Sequence, residues 1–307
     1  MMKKITCLLL IAIAFTVLTS FYAEPGAPVQ KPVIKTIIVD AGHGGSDNGA
    51  RGDYSFEKDI CLAVALKLGK KLEQEFPNVK ILYTRTRDEY PSIKSRADFA
   101  NANKGDLFVS IHVNAGGKIK HSKFAGYRTE TYYTGKGKSR KKRTRKVPKY
   151  TVYYTDNPSR GTETYIWAAD RADAKGEYVG ERLSEDVNDS TEYAPDINDP
   201  EFKAKSLLWT KKYFDKSLML ATLVEEEFVN GGRESRGVKQ RNEKGIWVLQ
   251  ATAMPSILVE TGFISHRPDE DYLNSTKGQE EIATQVMNAI KRYKLATEGN
   301  PAPQQGF

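Results

Sequence analysis

The stretch Ile37-Ile-Val-Asp-Ala-Gly-His-Gly-Gly45 places a glycine-rich turn, with one histidine in it, directly after a hydrophobic run. Residues 33–40 are rich in β-branched side chains, which is typical of a strand. Residues 107–112 form a second run that is apolar nearly throughout, as expected of a strand covered on both faces. Between them, apolar residues recur every four positions from Phe56 to Leu72 and predict a helix over 55–76. Strands that alternate with helices indicate an α/β fold.

The rest of the chain continues this alternation. We expect further strands at 79–84, 163–167, 245–249 and 256–260, and helices at 92–101, 174–183, 205–228 and 282–290. A length of 307 residues allows one or two domains, and the regular alternation favours one. The predicted fold class is therefore a single α/β domain, with a twisted, mainly parallel or mixed sheet of about six strands flanked by helices.

The amino-terminal end has the composition of a targeting segment. Lys3 and Lys4 precede an apolar run over 5–18 and then small and polar residues, which is the pattern of a secretory signal peptide over 1–23. The run is short for a membrane span, so we expect no transmembrane span in the mature protein; an uncleaved anchor is the alternative. Export to the periplasm or the cell envelope follows. We expect a linker at 24–32, a folded domain at 33–295 and a disordered tail at 296–307.

The positive charge of the chain is concentrated in one insertion at 116–160. The net charge is +8, but residues 118–150 alone hold thirteen Lys or Arg and a single acid, Glu130, so the remaining residues are net acidic. Residues 135–146 offer no apolar face, and we expect a flexible loop there. Such a loop can bind an anionic polymer of the envelope, whereas it lacks the features of a specific nucleic-acid reader. A second, acidic insertion covers 170–205.

The two cysteines do not suggest a disulfide or a nucleophile. Cys7 lies in the predicted signal peptide, and Cys61 lies on the first predicted helix. A single remaining thiol cannot form an internal disulfide, so we expect Cys61 to be a small buried hydrophobic residue.

Four side chains that can bind a metal or carry protons stand at the ends of predicted elements. His43, His112 and Glu260 end three strands, and the carboxyl ends of strands line the functional crevice of open α/β sheets. Glu57 lies near the start of the first helix, at the edge of its buried face. Two imidazoles and one carboxylate supply three ligands of a catalytic zinc site, and a further carboxylate can move protons. The set predicts a metallohydrolase.

The local sequences around these residues resemble the zinc-dependent N-acetylmuramoyl-L-alanine amidases of the bacterial cell-separation type. The resemblance covers roughly residues 33–295. It rests on 37–45, Glu57, Asp106-Leu-Phe-Val-Ser-Ile-His-Val-Asn-Ala115, Arg236-Gly-Val-Lys239 and Pro255-Ser-Ile-Leu-Val-Glu-Thr-Gly-Phe-Ile-Ser265, with Thr84-Arg85, Asp88, Arg96, Ala100-Asn101 and Gly161-Thr-Glu-Thr-Tyr165 as connecting motifs.

This resemblance implies a set of roles. His43, Glu57 and His112 would bind one zinc ion (Zn2+), and Glu260 would be the catalytic carboxylate. The substrate would be peptidoglycan, cut between N-acetylmuramic acid and L-alanine. In some relatives an inserted helix covers the zinc until an activator protein displaces it, so Glu177, Glu181 or Glu185 in the acidic insertion would reach the metal if such a helix exists here.

Other functions and other residues stay open at this point. The alternatives are a catalytically silent envelope-binding protein, a polyanion-binding protein and a zinc carboxypeptidase or endopeptidase. We expect His121 and His266 to be surface residues and Asn114 to orient His112, bind substrate or cap a strand. Arg85 and Arg96 are expected to pair with Asp88 or Asp98, or to contact substrate.

Overall fold

The computed structural model describes residues 34–188, 199–242 and 245–299. The predicted signal peptide and linker lie outside the described residues. The described residues form eight strands: β1 (Thr36–Ala41), β2 (Lys80–Tyr83), β3 (Leu107–Asn114), β4 (Ile119–Thr134), β5 (Lys141–Thr155), β6 (Thr162–Ile166), β7 (Ser235–Gln240) and β8 (Ser256–Phe263). They also form seven α-helices: α1 (Glu57–Glu75), α2 (Ile93–Ala102), α3 (Ala172–Asn188), α4 (Pro200–Asn230), α5 (Trp247–Ala251), α6 (Arg267–Asn274) and α7 (Thr276–Glu298).

Six of the strands form one mixed sheet in the order β2-β1-β3-β8-β6-β7. The first four run parallel, β6 is antiparallel to β8, and β7 is parallel to β6. This confirms the predicted α/β class and the mainly parallel, mixed sheet. Because β6 is reversed, its first residues lie at the same edge as the carboxyl end of β8.

The helices cover both faces of the sheet. The larger core lies on the face of α1, α4 and α7, where apolar residues such as Val64, Val224 and Val286 are fully buried. A smaller core around Phe108 and Leu249 includes α2 and α5. The central strands β1 and β8 are buried along their whole length, which explains their nearly continuous apolar sequences.

Some sequence predictions are wrong. The strand predicted at 245–249 is wrong, because residues 247–251 form helix α5 and Val248 and Leu249 are buried on it. No strand was predicted at β7, because this edge strand is only partly buried and carries charged residues such as Arg236. The disordered tail was predicted at 296–307, but α7 continues to Glu298. Residues 300–307 lie outside the described part of the chain.

The basic insertion is not a loop but the two-stranded antiparallel hairpin of β4 and β5, which forms its own sheet. Tyrosine, threonine, valine and phenylalanine occupy many of its positions between the lysines and arginines, and these residues favour strands. The predicted loop rested on the charge of residues 135–146 and not on this pattern. Within the described ranges, no helix is both long enough and apolar enough to cross a membrane.

Candidate metal centre

Three of the predicted site residues meet at the carboxyl edge of the sheet. His43 follows β1, Glu57 is the first residue of α1, and His112 lies on β3. One ligand atom from each residue lies within 4.8 Å of the others. Oε1 of Glu57 is 3.2 Å from Nε2 of His43 and 3.0 Å from Nδ1 of His112. Ligand atoms of a tetrahedral zinc ion are separated by about 3.3 Å, so these spacings and this donor set fit zinc.

Two glycines make room for the clustered side chains. A Cβ atom on Gly42 would lie 2.5 Å from the ring of His112. A Cβ on Gly49 would lie 2.6 Å from Oε2 of Glu57 and 2.7 Å from Cδ2 of His43, and Gly49 also has a φ of 63°. His43 itself adopts a left-handed φ of 57°, which is uncommon for a residue with a side chain. Glycine at these two positions therefore leaves the space that the side chains of His43, Glu57 and His112 occupy.

The ring of His43 is oriented by Asp47, a residue that the sequence analysis did not single out. Nδ1 of His43 is 2.8 Å from Oδ2 of Asp47, which leaves Nε2 facing Glu57. Burial alone would lower the pKa of His43, but the hydrogen bonds and charges of Glu57 and Asp47 outweigh it and raise the pKa to about 9. A carboxylate on the far nitrogen of a metal-binding histidine fixes its tautomer and ring orientation.

Glu57 is buried and tied to the backbone on two sides. Its Oε2 accepts a hydrogen bond from the Ala50 N–H at 2.7 Å, and its Oε1 accepts one from the Val113 N–H at 3.0 Å. Burial favours the neutral form, yet the hydrogen bonds from His112 and His43 outweigh it and lower the pKa of Glu57 well below its usual range. The side chain is therefore an ionised carboxylate that faces two imidazoles.

Glu260 lies beside this cluster, on β8. It is the register partner of His112 on β3 and is 9% exposed. Its Oε2 is buried and has no hydrogen-bond partner in the described part of the chain. Burial raises the pKa of Glu260 to about 7; the charge of His112 opposes this shift and that of Glu57 adds to it. A carboxyl group with a pKa near neutrality can both accept and donate a proton.

A buried ion pair between Arg96 and Asp40 holds the turn that carries His43. Nη1 of Arg96 donates to Oδ1 of Asp40 at 2.6 Å, and Nη2 donates to the carbonyl oxygen of His43 at 2.6 Å. Burial would raise the pKa of Asp40, but the Arg96 charge and the hydroxyls of Ser110 and Thr84 hold it below its usual range. The guanidinium of Arg85 donates to the carbonyl oxygens of Ala41 and Gly42.

The predicted partners of these arginines are therefore wrong. Asp88 accepts hydrogen bonds from Lys58 and from the Gly45 N–H, and Asp98 is paired with Lys94. Arg85 and Arg96 are buried donors that hold the backbone around His43, which makes them positioning residues.

Beyond Glu260, the edge of the sheet carries a second charged group that sequence reasoning missed. Glu163 on β6 is the register partner of Glu260. Its carboxylate accepts hydrogen bonds from Arg236 at 2.5 Å, from Tyr165 at 2.8 Å and from Asn114 at 3.0 Å. Asn114 thus contacts Glu163 rather than His112. The motif Gly161-Thr-Glu-Thr-Tyr165 was the available signal, but only the reversed β6 brings its glutamate to the site.

The acidic insertion does not supply a metal ligand among its described side chains. On helix α3, Lys175 donates hydrogen bonds to the carbonyl oxygens of Leu249 and Thr252, and Arg182 donates to that of Gly105. These acceptors precede β8 and β3, at the edge of the sheet opposite the ligand cluster. Glu177 and Glu181 are exposed and are not part of the ligand cluster. The side chain of Glu185 lies outside the described residues.

The two remaining histidines are also outside the cluster. His121 stacks on Tyr153 in the hairpin, with ring centroids 5.0 Å apart. His266 lies 3.3 Å from Asp269 and is partly buried.

Comparisons with known proteins agree with the fold and with the sequence motifs. Residues 37–292 match the family described as N-acetylmuramoyl-L-alanine amidase. The uncharacterized protein YqiI of Bacillus subtilis (strain 168) is 30% identical over 270 residues, which are 88% of this chain and 90% of that protein. The N-acetylmuramoyl-L-alanine amidase AmiC of Escherichia coli O6:H1 is 30% identical over 272 residues, 88% of this chain but 55% of AmiC.

Among solved structures, the N-acetylmuramoyl-L-alanine amidase from Clostridium difficile 630 superposes with a TM-score of 0.54 at 24% identity, covering 85% of this chain and 97% of that one. At this identity the superposition shows the shared fold. The match over 37–292 covers most of the chain, so this protein belongs to the N-acetylmuramoyl-L-alanine amidase family and is an amide hydrolase of that class.

Proposed function

We propose that this protein is an exported zinc hydrolase that cleaves the amide bond between N-acetylmuramic acid and L-alanine in peptidoglycan. The observation that carries the proposal is the convergence of His43, Glu57 and His112 beside Glu260, a buried carboxyl group with an unpartnered oxygen. Family membership supports the bond and the substrate class.

In this proposal His43, Glu57 and His112 hold one zinc ion. When bound, zinc lowers the pKa of a coordinated water and polarises the scissile carbonyl. Asp47 keeps the proton of His43 on Nδ1, so that Nε2 stays free to bind. The hydrogen bonds from the backbone of Ala50 and Val113 fix the carboxylate of Glu57, which keeps its geometry through the reaction.

Glu260 carries the proton in both halves of the reaction. As a carboxylate it takes a proton from the attacking water, and as a carboxylic acid it gives that proton to the departing nitrogen of alanine. The second transfer is required because an amide anion is a poor leaving group. A pKa raised toward neutrality by burial suits a group that must serve as base and then as acid.

Export, a signal peptide over 1–23 and an activator protein belong to the same proposal. Peptidoglycan lies outside the cytoplasm, so the amidase must cross the cytoplasmic membrane to reach it. The activator is separate from the chemistry, and assays of the purified protein alone and with envelope extract test for it.

The experiment is digestion of purified peptidoglycan sacculi, followed by mass analysis of the products. An amidase yields glycan strands free of stem peptides together with peptides that have a new amino-terminal alanine. A carboxypeptidase or endopeptidase instead yields fragments cut within the stem. Removing zinc with a chelator should abolish release, and adding zinc back should restore it.

Two substitutions separate the proposed roles. Glu57→Gln should lower both zinc content and activity, whereas Glu260→Gln should keep zinc and lose about 10²- to 10⁴-fold in kcat. Glu225→Gln is the matched control, because Glu225 is also a buried glutamate but is held by Thr162 and Thr164, away from the cluster. Full activity of Glu260→Gln would overturn its assigned role.

A further inference from the structure

The hairpin of β4 and β5 has two chemically different faces. Cross-strand partners share a face, and successive residues alternate between faces. One face presents an apolar and largely aromatic set that we call the aromatic face: Phe124, Tyr127, Tyr150, Val152 and Tyr154. The opposite face presents what we call the arginine row, Arg128, Arg143 and Arg145, together with Glu130 and Tyr132, which are the cross-strand partners of Arg145 and Arg143.

The aromatic face is continuous and exposed. The ring of Phe124 contacts those of Tyr127 and Tyr150, with centroids 5.2 Å and 5.9 Å apart. Tyr127 is 67% exposed and Tyr154 is 58% exposed. A bulge between Phe124 and Tyr127 keeps both rings on one side, because the extra residue of β4 restores the alternation. Contiguous exposed rings of this kind mark an interaction surface.

The hairpin starts at the rim of the metal centre. Ile119, its first residue, follows His112 by seven positions along the chain. Its base is tied to the catalytic edge by a hydrogen bond from the Gly116 N–H to Ser265, and Asn157 donates to the carbonyl oxygen of Gly117 across the base itself. A strand of sixteen residues spans about 50 Å, so the arm extends well beyond the catalytic crevice.

The rest of the fold gives the hairpin little cover. Nearly every residue of both strands is exposed or only partly buried. An isolated two-stranded hairpin is marginally stable in water, and its lysines and arginines discourage pairing with other strand edges. A ligand that lies along the faces would stabilise the arm.

We infer that the hairpin is a second binding site for peptidoglycan, which holds a polymer strand against the protein while the metal centre cuts nearby stems. The inference rests on the proposed function. Aromatic ring faces attract the C–H groups of sugar rings, which suits the aromatic face to the glycan. Within the arginine row, Arg145 already pairs with Glu130, whereas Arg128 and Arg143 are exposed and can bind the carboxylates of the stem peptides, because guanidinium groups bind carboxylates in a bidentate manner.

The tip argues for a polymer over a lipid surface. Residues 135–140, Gly-Lys-Gly-Lys-Ser-Arg, carry no apolar side chain that can insert into a membrane. Tyr133, beside the tip, is covered by the guanidinium of Arg140 at 4.2 Å, and the aromatic face lies along the side of the arm. A hairpin that enters a bilayer interface needs its apolar anchors where it meets the lipid.

The test measures binding separately from cutting. In a Glu260→Gln background, retention on purified sacculi is compared for the unmodified hairpin, for a Phe124→Ser/Tyr127→Ser/Tyr150→Ser variant and for an Arg128→Gln/Arg143→Gln/Arg145→Gln variant. We expect each variant to bind sacculi at least tenfold more weakly. Lys70→Gln/Lys205→Gln/Lys277→Gln is the charge-matched control, on exposed lysines elsewhere, and should bind as the unmodified hairpin does.

A deletion covers the case in which the substituted hairpin misfolds. Ile119 and Thr155 are cross-strand partners, so an Asn-Gly turn can replace residues 120–154 and keep the base. With the native Glu260, this deletion should cleave a soluble N-acetylmuramoyl peptide as the full chain does and require at least tenfold more sacculi for half-maximal rate.

Unchanged retention of all hairpin variants on sacculi would overturn the inference, as would a loss confined to anionic phospholipid vesicles or to a nucleic acid. A different result would refute the proposed amidase function. The full chain with native Glu260 would then cleave neither the soluble peptide nor sacculi, whatever the hairpin binds.

Discussion

Lys175 on α3 is a buried lysine whose charge should make the stability of the protein depend on pH. The residue is 0% exposed. Its Nζ donates to the carbonyl oxygens of Leu249 at 2.7 Å and Thr252 at 2.6 Å, and to the hydroxyl of Ser256 at 3.3 Å. These acceptors are neutral, and burial lowers the pKa of Lys175 to about 7.

The size of the effect follows from the difference between the folded and unfolded pKa values. An unfolded lysine has a pKa of about 10.4, so the difference is roughly three and a half units, or about 5 kcal/mol. Below pH 7 both states are protonated and the folded state bears the whole cost of the buried charge. Between pH 7 and about 10 the unfolded state binds more protons, so stability rises by about 1.4 kcal/mol per pH unit.

The assay is denaturant unfolding of the native chain and of Lys175→Met between pH 6 and pH 9. Methionine keeps the length of the side chain and cannot titrate. The free energy of unfolding of the native chain, relative to that of the variant, should rise by about 2 kcal/mol from pH 7 to pH 9. Lys205→Met, at an exposed position, should follow the native curve. Parallel curves for the native chain and Lys175→Met would refute the reasoning, because they would mean that the three acceptors keep Lys175 charged.

Three further substitutions test the support of the metal centre. Asp47→Asn should weaken zinc binding about 10- to 100-fold, measured by competition with a chelator, because the orientation of His43 is lost. Gly42→Ala should lower zinc content while the protein still folds, measured by metal analysis and circular dichroism, since the new Cβ would lie 2.5 Å from the ring of His112. Arg96→Met should destabilise the fold by about 3–5 kcal/mol in denaturant titrations, because it leaves Asp40 buried without its charged partner; a change below 1 kcal/mol would contradict the structural account.

The sequence was sufficient to predict the elements whose residues are buried on a regular period. The runs around Val39, Val109 and Leu258 are central strands, and their carboxyl ends carry the residues that meet at the site. The sequence also indicated Glu57, because the helix stripe placed it at the edge of a buried face. In each of these elements, the secondary structure favoured by the local sequence is also the one that the tertiary structure buries.

The missed features depend on partners that are distant along the chain. Asp40 pairs with Arg96 over 56 positions, and no local pattern distinguishes that arginine from an exposed one. The strand predicted at 245–249 failed because a short apolar run fits a buried helix equally well. In the hairpin, cross-strand pairing of aromatic and β-branched residues outweighed the charge of the tip, and such pairing becomes visible only once the register is known.

One carboxyl group at this edge of the sheet differs from its neighbours, chiefly because it is buried. Parallel strands bring Glu260 and His112 to the edge at their carboxyl ends, and the reversed β6 brings Glu163 there near its start. Glu57 is held ionised by two imidazoles, and Glu163 is held by Arg236. Between these two carboxylates, Glu260 is buried with a raised pKa and an unpartnered oxygen. The pKa of Glu57 is lowered and that of Glu260 is raised, so the two acids are suited to different roles, and in the proposed function the proton-transferring role falls to Glu260.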